Sequence, residues 1–211
     1  MQHATPKQFL PLGGLPLIFH TLSAFSHAID GLRLIVVLPK VHLSLWEALC
    51  ERHHYNTKTL TVVTGGPTRF HSVKNGLALL KKSGFVAVHD AVRPFASELL
   101  IRKVFEETRQ HGSCIPVIPL KDSLRNISGN QSVAVSRSDY RLVQTPQCFK
   151  TEILHQAYQQ EPTDSFTDDA CVVEQSGQKI HLAEGEPENI KITTPFDLQI
   201  AKVLLEKQTE K

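Results

Sequence analysis

Little in this 211-residue chain points to metal or disulfide chemistry. Its four cysteines, Cys50, Cys114, Cys148 and Cys171, are widely spaced, with no CxxC motif and no histidine at metal-ligand spacing. That pattern disfavours disulfides and a zinc site, and it reads as free thiols in a reducing compartment. The adjacent His53 and His54 lie in a polar stretch with Tyr55 and Asn56 and read as a solvated helix end. No apolar run approaches membrane length, and no positively charged start leads into an apolar segment of a signal peptide. A cytoplasmic protein is therefore expected. A formal charge of +2 is too small to argue for a nucleic-acid or membrane-surface partner. Anionic ligands must be met by local clusters of Lys and Arg. No internal repeat, low-complexity segment or interdomain linker divides the chain, and its length suits a single domain over residues 1–211.

What is present is organised around residues 85–95, FVAVHDAVRPF. Four apolar residues are followed at once by His89, Asp90, Arg93 and Pro94. The run is too short for a helix and reads as a buried strand of a parallel sheet. Open α/β sheets bind ligands beyond the carboxyl ends of their strands, which would put Asp90 and Arg93 at the lip of the sheet. Asp90 capping a turn and pairing with Arg93 is the plainer alternative.

Further strands are read at 34–38, closed by Pro39, and at 59–64, ending in Gly65-Gly66-Pro67. Helical spacing marks 17–25, 42–54 and 70–82, and Ser97 can cap another helix. The alternation predicts an α/β fold, a three-layer sandwich with a mainly parallel, Rossmann-like sheet. Beyond residue 113 come a strand to Leu120, a hairpin turned at Ser128-Gly129-Asn130-Gln131, helices over 152–159 and 168–174, and a strand over 179–183. A helix opened by Pro195 ends the chain. A short hairpin cannot bury its own faces, so the arm at about 122–145 is expected to project and pack on a second subunit.

Polar clusters fall at the expected strand ends: Pro6-Lys7-Gln8, residues 65–69, residues 89–93 and Asn189-Ile190-Lys191-Ile192-Thr193, with Arg137 and Thr167-Asp168-Asp169 added. One carboxylate among several cations, without a Ser-His-Asp or Cys-His pairing, suits phosphate chemistry, where catalysis is mainly positioning and charge stabilisation. Six blocks then carry a resemblance over nearly the whole length: PKQFLPLGGLPLIFHTLSAF, GGPTRFHSVKNGL, VHDAVRPF, QTPQCF, TDDACVVE and EGEPENIKITTPFDLQIA. With these blocks in this order, the chain resembles the 2-C-methyl-D-erythritol 4-phosphate cytidylyltransferase family of the non-mevalonate isoprenoid pathway.

The resemblance implies a nucleotidyltransferase-type fold and transfer of CMP from CTP to methylerythritol phosphate, with release of pyrophosphate. It implies Lys7 and Lys191 as catalytic residues on the triphosphate and α-phosphorus. It assigns Gly66, Ser72, Asp90 and Arg93 to CTP, and Asp90 to a Mg²⁺ ion. Arg137 and Thr167 match positions that bind the polyol phosphate across a homodimer interface. The family normally has a strand and a glycine-rich loop before PKQF, and here five residues precede Pro6. We expect that strand and loop to lie upstream of Met1, since a missing central strand exposes sheet edges. Pro67 is a second departure, with no N–H to offer a nucleotide. Two other readings are a cytidylyltransferase for another polyol phosphate, such as ribitol 5-phosphate, and a nucleotide-binding dimer without turnover.

Overall fold

The computed structural model describes residues 5–81 and 83–209. A 3-10 turn over Lys7–Phe9 leads into a minute hairpin, β1 (Pro11–Leu12) and β2 (Leu15–Pro16). Gly13 and Gly14 turn it at φ 56° and 86°, backbone that glycine adopts without steric cost. Helix α1 (Leu17–Ala28) follows and buries Leu17, Phe19, Leu22 and Phe25, at the helical spacing expected there.

Strand β3 (Leu34–Leu38), helix α2 (Leu43–Arg52) and strand β4 (Leu60–Thr64) form a right-sized crossover unit. The two strands pair in parallel from Leu34↔Leu60 to Leu38↔Thr64. Helix α3 (Arg69–Leu77) comes next, capped by the Thr68 hydroxyl. It stops short of the expected residue 82: Ala78 N–H still makes the helical bond to Lys74, but Leu79 and Leu80 close tighter three-residue turns on Gly76 and Leu77. Strand β5 (Phe85–Val88) then leads to helix α4 (Glu98–His111), whose cap is Ser97 as expected. Gly112, at φ 87°, ends α4 and turns the chain into β6 (Ser113–Pro119).

Strands β7 (Leu124–Ser128) and β8 (Gln131–Val135) form a hairpin with Ser128 opposite Gln131. They pair with no other strand among the described residues. Strand β9 (Arg141–Val143) returns to β6, and β10 (Gln147–Lys150) follows it. Helices α5 (Thr151–Ala157) and α6 (Asp169–Gln175), strand β11 (Leu182–Glu184) and helix α7 (Pro195–Thr209) complete the order.

The sheet is mixed, which corrects the expectation of a mainly parallel one. β5, β6 and β11 run in one direction, but β10 lies antiparallel between β5 and β6, and β9 is antiparallel to β6. The QTPQCF block was too short to reveal β10 by alternation. Consequently β5 is not a buried strand of a parallel sheet. Its paired edge meets antiparallel β10, and Phe85 is exposed. Its other side lines a cleft of about 540 Å³ that β3 walls from across the gap. No hydrogen-bonded strand joins the β3–β4 pair to the larger sheet among the described residues.

Period-2 alternation sends neighbouring residues into different cores. Cys114 and Cys148, opposite one another in the β6–β10 ladder, pack with Phe25, Leu100, Ile101 and Val104 of α1 and α4. Ile115 and Phe149, one residue on, pack with Phe70, Leu154 and Val173 of α3, α5 and α6. Burial pushes both thiols up to about 12, so neither is a nucleophile near neutral pH. All four cysteines are free. No described helix is long and apolar enough to cross a membrane.

Candidate active site

Asp90 sits just past the end of β5, where Arg93 N–H donates to its carbonyl in a tight turn. A chain of hydrogen bonds fixes this corner. Asp90 N–H donates to Thr145 Oγ1 at 3.1 Å, and Thr145 Oγ1 meets His89 Nδ1 at 3.0 Å. His89 Nε2 lies 3.0 Å from the Arg93 carbonyl. A carbonyl can only accept, so the proton of the neutral ring is on Nε2, and Nδ1 accepts from the Thr145 hydroxyl. Burial lowers the His89 pKa to about 4, which keeps that ring neutral.

Two cations converge on one carboxylate oxygen. Lys191 Nζ is 3.0 Å from Asp90 Oδ2, and Arg93 Nε is 3.2 Å from the same atom. Burial alone would raise the Asp90 pKa, but Lys191, followed by Arg93, outweighs it and holds the carboxyl below its ordinary range. Asp90 is 18% exposed whereas Lys191 is 47% exposed, so the ammonium reaches solvent while its partner is sheltered. Arg93 is held at its far end too, donating from Nη1 to the Asn189 carbonyl at 2.7 Å. The structure thus shows the plainer of the two arrangements read from the sequence, a tight turn at Asp90 with Arg93 paired to it.

Lys191 is placed by tertiary structure. Ile192 is fully buried beneath α7 with Leu12, Leu17 and Phe95, and its N–H donates to the Val92 carbonyl. Just beyond, Asp197 accepts from the backbone of Thr193 and Thr194 at 2.8 and 2.7 Å, and the Thr194 hydroxyl accepts from Asp197 N–H. This reciprocal box starts α7 and stiffens the segment that bears the lysine. On the other side, Gln144 Nε2 donates to the Glu186 carbonyl at 2.7 Å, and Asn189 Nδ2 donates to the Thr145 carbonyl at 2.8 Å.

Gly66 and Ser72 meet directly: Gly66 N–H donates to Ser72 Oγ at 3.1 Å. A Cβ on Gly66 would fall 2.3 Å from His71 Cβ, so the close turn between β4 and α3 requires glycine. Ser72 and Asp90 both line the cleft between β3 and β5, as does Gln8. Lys7 precedes Gln8 in a turn anchored by Phe9, which packs with Phe19, Leu38 and Trp46. Two expected residues make their hydrogen bonds outside this group. Arg137 donates to the Lys121 carbonyl at the foot of the hairpin, and the Thr167 hydroxyl lies 3.4 Å from Cys171 Sγ. Thr167 is not the cap of α6. Asp168 fills that role, accepting from Cys171 N–H at 2.8 Å.

Two of the polar clusters are joined by a buried group whose partners the sequence does not show. Asp169 is fully buried, paired with Arg69 and accepting from Tyr158 Oη at 2.6 Å. Burial disfavours the Arg69 charge, but the Asp169 carboxylate more than offsets it and raises the pKa, with a smaller contribution from Asp90. Gln147 completes the link, accepting from the N–H groups of Asp169 and Ala170 and donating to Asp168 at 2.8 Å. The sequence placed Arg69 and Asp169 in two separate polar clusters, with nothing to pair them.

A carboxylate between two basic side chains just past β5, and a glycine turn from β4 into α3, suit a nucleotidyltransferase. Solved structures agree. It superposes on the 2-C-methyl-D-erythritol 4-phosphate cytidylyltransferase of Thermus thermophilus with a TM-score of 0.79 at 34% identity, covering 96% of this chain and 95% of that one. The 4-diphosphocytidyl-2C-methyl-D-erythritol synthase of Anaerococcus prevotii gives a TM-score of 0.81 at 29% identity over 93% and 88%. Among sequences, the 2-C-methyl-D-erythritol 4-phosphate cytidylyltransferase of Bacteroides thetaiotaomicron is 54% identical over 95% of this chain and 91% of its own length. A sequence model named IspD, 2-C-methyl-D-erythritol 4-phosphate cytidylyltransferase, matches residues 1–207, and the chain belongs to that family. Its activity is CTP-dependent cytidylyl transfer in isoprenoid-precursor synthesis.

Proposed function

We propose that Asp90, Arg93 and Lys191 form the phosphate-handling centre for transfer of CMP from CTP to 2-C-methyl-D-erythritol 4-phosphate. The observation that carries this reading is the shared carboxylate oxygen: Asp90 Oδ2 holds both cations, with Lys191 half exposed above it. In the transfer, an acceptor phosphate oxygen attacks the α-phosphorus of CTP in line, the bond to the β-phosphate oxygen breaks, and pyrophosphate leaves. The acceptor needs no general base, since a phosphate monoester is already ionised near neutral pH. Lys191 can leave Asp90 for the developing charge on the α-phosphoryl oxygens, and Lys7 serves the triphosphate. Gly66 and Ser72 shape the nucleotide end of the cleft, where the backbone can approach a base or ribose closely.

Asp90 also fits a divalent cation. Both basic side chains take Oδ2, and Oδ1 has no partner among the described residues. One carboxylate suffices for Mg²⁺ when substrate phosphates supply other ligands. Such an ion, held by Asp90, would neutralise phosphate charge as two polyanions meet.

Arg137 and Thr167 we assign to the polyol phosphate, Arg137 from a partner subunit in a homodimer built on the 122–145 arm. The exposed apolar side chains of Ile127, Val133, Tyr140, Leu142 and Val143 support an interface there. The free cysteines support a reducing, cytoplasmic setting.

Pyrophosphate release from CTP, Mg²⁺ and methylerythritol 4-phosphate tests the assignment, with ribitol 5-phosphate as competing acceptor. Turnover with methylerythritol phosphate alone is the expected result. Preference for ribitol phosphate would move the chain to another acceptor.

A further inference from the structure

At the far end of α4 from its Ser97 cap, three metal-ligating side chains converge that the transfer chemistry does not use. Glu107 and His111 lie one turn apart on the same helix face, and His181 stands just before β11. Glu107 Oε2 is 3.1 Å from His181 Nε2 and 3.5 Å from His111 Nε2. The two imidazoles stack at 3.7 Å between centroids and 11° between planes, so both rings turn their Nε2 edge toward the one carboxylate. The three ligand atoms all lie within 4.8 Å of one another, and they are the one such group among the described residues.

We infer that Glu107, His111 and His181 form a three-ligand site for a borderline divalent transition-metal ion of the Zn²⁺ class. The donor set decides the class. Two imidazole nitrogens and one carboxylate oxygen suit Zn²⁺, Ni²⁺ or Cu²⁺, whereas Mg²⁺ and Ca²⁺ take oxygen ligands. The scaffold is fixed on both sides. Gly112 closes α4 immediately after His111, with its N–H on the Thr108 carbonyl at 2.8 Å. The His181 backbone is tied to β6 through its carbonyl, which accepts from Ile115 N–H at 3.0 Å, and through its N–H on Ser113 Oγ. The side chains retain 32–43% exposure, so solvent can deliver an ion and fill its remaining coordination positions.

An ion there ties the last turn of α4 to the start of β11. It is separate from the phosphate centre: α4 has 14 residues and so spans about 21 Å, and its other end bonds Glu186 through Ser97. The expected consequence is stability rather than turnover. A ligand at a hundredfold excess over its Kd shifts Tm upward by about 5–10 °C for a chain of this size.

The test is Zn²⁺ titration of the untagged, chelator-stripped full chain by calorimetry, with Co²⁺ absorption to report nitrogen ligation and melting to report stability. We expect one Zn²⁺ per chain, a raised Tm, no such rise with Mg²⁺, and retention of binding in Asp90→Asn. His181→Gln and Glu107→Gln should each weaken binding at least about tenfold, the scale of losing one ligand or its support. His111→Gln serves if His181→Gln does not fold. Absence of Zn²⁺ binding, binding unchanged in the ligand variants, or binding abolished by Asp90→Asn would each overturn the site.

Discussion

Lys191 and Asp90, far apart in the sequence, meet at 3.0 Å, and the arginine three residues after Asp90 shares the same carboxylate oxygen. The lysine is thus held beside the proposed phosphate centre, where phosphate oxygens could take the place of its carboxylate partner. Replacing it with methionine keeps the stem and removes the charge. We expect Lys191→Met to lower kcat by about 10²–10³-fold, the size of losing one transition-state donor. Pyrophosphate release under CTP saturation measures it, and near-normal turnover would remove Lys191 from the chemistry.

The same ion pair makes stability depend on acid. Lys191 and Arg93 hold the folded Asp90 pKa below its unfolded value, against the opposing effect of burial. That contribution is present above the unfolded carboxylate pKa of about 3.9 and is lost as pH falls through the folded value. Urea unfolding between pH 5 and lower values should show a shallower loss of stability for Asp90→Asn than for the parent chain. Equal slopes would separate Asp90 from acid unfolding.

His89 titrates in the opposite sense. Burial lowers its folded pKa to about 4, so the unfolded chain binds more protons between that pH and about 6.5. Stability therefore rises with pH across this window. NMR titration of the His89 ring should find it neutral at pH 5.5, bonded through Nε2–H. A midpoint near 6.5 would contradict the neutral ring that orders Thr145 and Asp90.

Asp169 is fully buried and satisfied by Arg69 and Tyr158. Arg69→Met strands a buried carboxylate, which costs about 3–5 kcal/mol in a closed pair. Arg69 is 40% exposed, so solvent screens the pair and the expected loss falls to about 1–3 kcal/mol. Tyr158→Phe should cost about 1–3 kcal/mol through one lost bond to the same carboxylate. Chemical denaturation of the two single variants and the double variant tests the coupling, and strictly additive losses would show that the groups act independently.

The hairpin carries exposed Ile127 and Val133, at 65% and 67% exposure. If it joins two subunits, Ile127→Asp with Val133→Asp should convert a homodimer to a monomer in light scattering at micromolar concentration. A parent chain already monomeric there would count against the arm.

Much of this protein was legible in the linear chain. The period of apolar residues marked α1, α4 and the strands at 34–38 and 60–64, and Ser97 announced its helix, because caps and stripes are local physics. His89, Asp90 and Arg93 stood out as charge placed directly after an apolar strand. The rest depended on contacts between distant segments. β10 is four residues long, and only its ladders to β5 and β6 define it, so the mixed sheet could not be foreseen. Asp169 gave no sign that Arg69 and Tyr158 would enclose it, and His181 none that it would stack on His111. Side-chain type and short-range spacing determined which residues could do phosphate chemistry. Tertiary packing, by burying Ile192 against Val92 and capping the next helix at Asp197, decided that Lys191 would reach Asp90. A long-range ion pair depends on where the core places its two ends, and no local pattern records that.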